Sequence, residues 1–228
     1  EESRRELAEL EGAEDRLAEL AGEVTQAHAR LLEAGEALSK ARREAAEGLS
    51  AEATREIRFL GMPEARFEVG LIPLAEPGPE GLEEVQLLFS ANPGLNLAPL
   101  EKAASGGELS RVMLALALLT GSEAPTVVFD EVDTGVGGEA AWRVAERLAR
   151  LAQQRQVLVV THLPQIAAFA DRHVLIRKRA GAARARPLGD EERIAELSRM
   201  LSGLPGSERA ALHAEELLAE AGRAKRGR

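Results

Sequence analysis

From position 10 to position 45 an apolar side chain returns every seventh residue: Leu10, Leu17, Val24, Leu31, Leu38 and Ala45. A second series, Ala13, Leu20, Ala27, Ala34 and Ala41, follows three places on and is mostly small. A heptad sustained this long commits residues 1–46 to one long helix whose seam faces another helix, and small seam residues let that helix come close. The strict register ends near Gly48, after which Leu49, Ala53, Ile57 and Leu60 continue at 3–4 spacing. At about 1.5 Å per residue, 1–60 reaches roughly 90 Å if helical throughout. No second heptad stretch of similar length follows, so the partner strand of the coil is not in this sequence. The competing reading is a helix packed inside a bundle.

Gly61-Met62-Pro63 breaks the helix and divides a coiled-coil arm, 1–60, from a globular region, 61–228. In the second region 67–74 and 84–89 read as strands, with Glu76-Pro77-Gly78-Pro79 as the turn between them. A loop over 90–104 leads to an apolar helix over 106–119. Three short apolar runs, 126–130, 157–161 and 174–176, read as buried strands, with helices over 138–152 and up to Ala170 between them. Strand, helix, strand at this spacing predicts parallel strands joined by crossovers, hence an α/β fold. Helices over 190–201 and 207–221 follow, before a basic tail over 223–228.

Composition narrows the function classes. Of 228 residues 45% are apolar and 29% charged, the balance of a globular protein. No apolar run approaches the roughly 18 residues of a membrane span, and no secretory leader opens the chain. Cysteine is absent, which excludes disulfides and thiolate metal sites and fits a cytosolic compartment. The net charge of −9 is carried mostly by 1–60, so nucleic acid would have to meet local patches rather than a basic stripe along the arm. Arg172, Arg177, Lys178, Arg179, Arg184 and Arg186 form one acid-free patch. It reads either as a solvated hairpin or loop or as a phosphate contact.

Three short motifs carry chemistry. Ser105-Gly106-Gly107-Glu108 has the serine-to-glutamate spacing of a capping box, which accounts for Ser105 and Glu108. It does not account for two glycines in a first helical turn, where bare backbone N–H groups leave room for a phosphate. Asp130-Glu131 ends the strand over 126–130, and ligands of open α/β sheets bind at such strand ends. One carboxylate there can hold Mg²⁺ and the other can take a proton from an attacking water; the plain alternative is a pair of acids capping the next helix. Asp133 follows in a glycine-rich turn, and Thr161-His162 ends the next strand on the same edge, so Asp130, Glu131 and His162 should share one rim.

In this order and spacing the motifs resemble those of SMC-like ABC-type ATPases such as SMC proteins, Rad fifty and RecN. Ser105-Gly106-Gly107-Glu108 is similar to the ABC signature, 127–131 to the Walker B strand, Asp133 to the D-loop and His162 to the switch histidine. The strings over 104–111, 129–136 and 161–166 resemble the bacterial RecN family, ATPases of DNA double-strand-break repair. The resemblance implies the C-terminal lobe of an ABC-type head on a returning arm helix. It also implies ATP and Mg²⁺ as cofactors. Asp130 would then help hold Mg²⁺, Glu131 would activate water and His162 would meet the γ-phosphate. Ser105, Gly106, Gly107 and Glu108 would serve ATP held by a second head, with Asp133 at that dimer interface. The implied partners are the N-terminal half of the same protein, the second head and DNA, at a cytoplasmic, nucleoid-associated location without a membrane. Neither a Gly-Lys pair nor a Lys-Ser/Thr pair occurs, so no Walker A loop is present and the chain alone should be inactive. A non-hydrolytic coiled-coil scaffold, the head half of another SMC or Rad fifty-like ATPase, and a transporter ATPase subunit are the rival readings. Intact carboxylates and histidine argue against the first, and the long arm against the last.

Overall fold

The computed structural model describes residues 1–121, 124–179, 182–203 and 207–226, with the side chains of all of these except 2–11 and 179. Leu10 of the heptad, Arg179 of the basic patch and positions 227–228 of the tail therefore lie outside the described side chains. The chain forms two compact units, Glu1–Gly48 with Val69–Leu87, and Leu49–Glu68 with Leu88–Arg228.

The long helix forms as the heptad predicts. Helix α1, Glu2–Phe59, runs through Gly48 without interruption. Its seam is open: Leu17 and Val24 are each 67% exposed, and Leu31 and Leu38 are also uncovered. Within the first unit a different stripe of α1 is buried. Ser39 is 3% exposed, and a side chain at Gly35 would press within 2.7 Å of Leu82 Cγ. Leu82 lies on strand β2, Gly81–Ser90, which follows β1, Arg66–Gly78. The turn between them comes at 79–80, later than the Glu76-Pro77-Gly78-Pro79 expected. Strand β1 continues through Pro77 because the fixed φ of proline suits extended backbone at a strand end.

In the second unit, β3 (Ala98–Pro99) pairs antiparallel with β2, and a single helical turn, α2 (Leu100–Ala103), leads into α3, Gly106–Thr120. Then come β4 (Thr126–Phe129), α4 (Gly138–Leu151), β5 (Gln156–Val159) and α5 (Pro164–Phe169). Strands β4 and β5 pair in parallel, from Thr126↔Gln156 to Phe129↔Val159, with α4 as the crossover. This is the α/β arrangement expected. Glu56 and Phe59 from the end of α1 hold Arg147 of α4. The carboxylate accepts from Arg147 Nε at 2.7 Å, and the guanidinium lies 4.0 Å from the ring centroid. Trp142 of α4 meets Phe169 of α5 edge-on at 4.8 Å.

Two expectations fail here. The β4–β5 strands are covered on one face only: Phe129 is buried, but Val128 is 63% exposed, and Leu158 and Val160 are also uncovered. Nothing among the described residues lies over that face. The third run does not extend the parallel pair. It becomes β6, Val174–Arg179, an antiparallel partner of β7, Ala182–Pro187, and Val174 and Ile176 are exposed. Most of the basic patch thus lies on an antiparallel strand pair in which Arg177 faces Arg184, while Arg172 precedes β6. Helices α6, Asp190–Ser202, and α7, Glu208–Arg226, pack together and complete the unit.

Candidate functional site

Helix α3 starts where the Ser-x-x-Glu spacing places it. The Ser105 backbone N–H donates to Glu108 Oε2 at 2.8 Å, and the Ser105 hydroxyl donates to the same oxygen at 2.9 Å. Glu108 therefore caps the Ser105 N–H, and the Ser105 hydroxyl steadies that carboxylate. The two glycines serve something else. A Cβ on Gly106 would lie 2.6 Å from Glu131 Oε2. On Gly107 it would meet Thr134 Cβ at 2.8 Å and the carbonyl oxygens of Glu131 and Thr134 at 3.0 Å. The glycine pair is what lets the start of α3 lie directly against the loop that carries both acids.

That loop is held from several sides. Ser110 donates to the Asp130 carbonyl at 2.6 Å, and Arg111 Nη1 donates to the carbonyl oxygens of Thr134 at 2.7 Å and Val132 at 3.4 Å. Glu131 adopts φ +57, the left-handed region, where a non-glycine residue is strained. Its N–H is taken by Asp130 Oδ1 at 3.0 Å.

The Val160 N–H donates to the Phe129 carbonyl at 3.0 Å, and the register continues with Asp130 beside Val160 and Glu131 beside Thr161. Asp133 is 3% exposed and turns inward, not outward. Its Oδ2 accepts the Thr161 hydroxyl at 2.5 Å and the His162 backbone N–H at 2.9 Å, and lies 3.1 Å from His162 Nδ1. The His162 ring itself is 74% exposed, and Asp130 and Glu131 also face solvent. Behind the histidine, Thr161 Oγ1 accepts the Leu163 N–H at 3.0 Å. Arg193 then caps the far end of α5, donating to the carbonyls of Ala167, Ala168 and Ala170.

The structure thus gathers Asp130, Glu131, Asp133 and His162 at one rim, and brings Ser105, Gly106, Gly107 and Glu108 to the same loop. Among the described residues no three carboxylates or histidines converge as a self-sufficient metal site. Magnesium does not need one, because it is commonly held by one or two carboxylates together with nucleotide phosphates and water. An exposed Asp130, with Oδ1 on the Glu131 N–H, fits that mode. Sequence reading passed over Ser110 and Arg111. The signal was there: Gly107, Arg111, Leu114 and Ala115 lie on one helical face, and all four are buried. A charged residue inside an apolar stripe marks a built contact.

Comparison with known proteins decides the family. The chain is 53% identical over 218 residues to the DNA repair protein RecN of Deinococcus radiodurans, covering 94% of this chain and 38% of that protein. It is 44% identical over 241 residues to the DNA repair protein RecN of Mycobacterium leprae, covering 95% and 41%. The chain belongs to the RecN family. It spans about two fifths of the length of the RecN proteins it matches. Among solved structures, the Smc head domain with a coiled coil and joint from Pyrococcus yayanosii superposes with a TM-score of 0.51 at 22% identity. The match covers 68% of this chain and 29% of that one, and supports the same head fold for this RecN segment. No protein-family model matches the chain.

Proposed function

We propose that this chain is the C-terminal half of a RecN-type ATPase that acts in recombinational repair of broken DNA. Residues 1–60 serve as the returning arm and 61–228 as the second lobe of a split head. Asp130 helps hold Mg²⁺ on ATP, Glu131 takes a proton from the attacking water and His162 meets the γ-phosphate. Ser105, Gly106, Gly107 and Glu108 form the signature turn that serves ATP bound to a second head, and Asp133 anchors the loop at that interface. Bound nucleotide supplies the phosphoanhydride, and Mg²⁺ neutralises its charge. The observation that supports this best is the shared rim: the parallel ladder sets Asp130-Glu131 beside Val160-Thr161, Asp133 takes the Thr161 hydroxyl and the His162 N–H, and the glycine turn of α3 touches the same loop.

The preceding half of the protein would supply the phosphate loop that this chain lacks and would cover the open face of Val128, Leu158 and Val160. It would also supply the helix for the open seam of α1. DNA would be met through local basic patches, at a cytoplasmic, nucleoid-associated location. The test uses the full-length protein. Glu131→Gln should slow hydrolysis by about 10²–10⁴-fold while leaving ATP binding intact. Ser105→Arg should leave ATP binding to single heads intact and abolish ATP-driven dimerisation and turnover. Unchanged turnover in Glu131→Gln would show that Glu131 is only a helix-capping acid. The chain by itself is expected neither to bind nor to hydrolyse ATP, and micromolar binding in a calorimeter would refute that.

A further inference from the structure

Arg111 is 4% exposed, and a guanidinium buried this deeply is costly unless its donors are used and its charge is matched. Burial pushes its pKa below the usual arginine range, and Glu108 and Asp133 act in the opposite direction. Both acids belong to the site: Glu108 receives the two Ser105 bonds, and Asp133 receives those of Thr161 and His162. Nη1 meanwhile bonds the carbonyls of Val132 and Thr134, the residues on either side of Asp133. One side chain on the second turn of α3 therefore grips the acid-bearing loop at two points, and its charge stands between the acid of the first turn and the acid under the histidine.

Resting on the ATPase reading above, we propose that Arg111 is a positioning residue that makes the Gly106-Gly107 turn, the Glu131 loop and His162 adopt one geometry together. Gly107 sits within van der Waals reach of Glu131 and Thr134, so any shift of the α3 start is felt by the loop. Arg111 converts that contact into a fixed relation, because Nη1 of a rigid, planar group serves both carbonyls. A lysine ammonium, with rotatable donors on a shorter, flexible stem, does not hold the two in one fixed direction. The loop then carries the constraint to His162 through Asp133. A phosphate arriving at the glycine turn is in this way registered at the general base and at the histidine.

The experiment compares full-length wild type with Arg111→Lys and Arg111→Ala, read in two independent ways. Without nucleotide, amide hydrogen exchange is followed at Thr134, bonded to the Glu131 carbonyl, and at His162, bonded to Asp133. Arg111→Lys should speed exchange at both by about tenfold or more while α6 and α7 keep wild-type protection. With ATP, kcat should fall by about tenfold with KM within about twofold, and added guanidinium ion should restore part of the Arg111→Ala loss. Wild-type exchange at Thr134 and His162 in both variants overturns the proposal. So does an acceleration spread evenly through α6 and α7, which would make Arg111 a stabilising residue only. If wild-type and Glu131→Gln proteins hydrolyse ATP equally slowly, the ATPase reading fails, and the exchange measurement still decides the coupling.

Discussion

Asp133 Oδ2 accepts the His162 backbone N–H at 2.9 Å while lying 3.1 Å from the imidazole Nδ1 of the same residue. One buried carboxylate thus fixes both the backbone and the ring of the histidine, and it takes the Thr161 hydroxyl as well. Asp133→Ala should leave two donors without an acceptor and Arg111 with Glu108 as its remaining acidic neighbour. A loss of about 3–5 kcal/mol is expected in urea denaturation. Asp133→Asn keeps the shape and one acceptor, and should cost about 1–3 kcal/mol. Equal, negligible losses in both would show that the carboxylate is not the anchor of this strand end.

The two glycines should respond differently to the same methyl group. At Gly106 the obstacle is the far end of a flexible side chain, Glu131 Oε2. Gly106→Ala should therefore change stability by less than about 1 kcal/mol, at the expense of moving the Glu131 carboxylate. At Gly107 the obstacles include two backbone carbonyls. Gly107→Ala should destabilise by about 1–3 kcal/mol, because overpacking there has no soft outlet. Paired melting curves of the two variants check this, and the opposite ranking would contradict the packing.

The uncovered face of the β4–β5 pair separates folding from assembly. Leu158 is 50% exposed, so Leu158→Glu should leave the stability of this chain within about 0.5 kcal/mol of wild type. The same change should abolish co-purification with the preceding half of the protein, because an unpaired charge would be buried on docking. Unimpaired co-purification would mean that another surface completes the head.

Acid should destabilise the second unit in two stages. Burial pulls the His173 pKa below its ordinary 6.5, with Arg193 adding to the effect and Glu196 opposing it. The folded chain then binds fewer protons than the unfolded chain, so stability falls as pH drops below about 6.5. The hydrogen bonds from Arg199 hold Glu196 below its ordinary 4.5, so its contribution is present above that value and fades further down. His173→Gln should remove the first stage and leave the second, as read from urea midpoints from neutral pH down to well below the ordinary 4.5 of Glu196.

The legible parts of this molecule were those with a local signal. The heptad announced α1, the Ser105-to-Glu108 spacing announced the start of α3, and short apolar runs flanking α4 announced the parallel pair. The rest depended on what lies across space. An apolar run reads the same whether one face or both are covered, so Val128 and Leu158 read as buried. Strand β7 alternates alanine with arginine and has every residue exposed, which conceals its pairing with β6. The inward turn of Asp133 and the reach of Arg111 depend on loop geometry that no spacing rule encodes.

Glu131 keeps φ at +57, a backbone state that glycine or asparagine occupies more cheaply, by roughly 1 kcal/mol. Selection for heat resistance alone would therefore push position 131 toward Gly or Asn and discard the acid. A thermostability screen on this scaffold should enrich such replacements, and under the proposed base role of Glu131 the sturdier survivors would lose ATP turnover in the full-length protein. On the base role proposed for Glu131, the backbone strain at this position is a stability cost that the chemistry of the site requires.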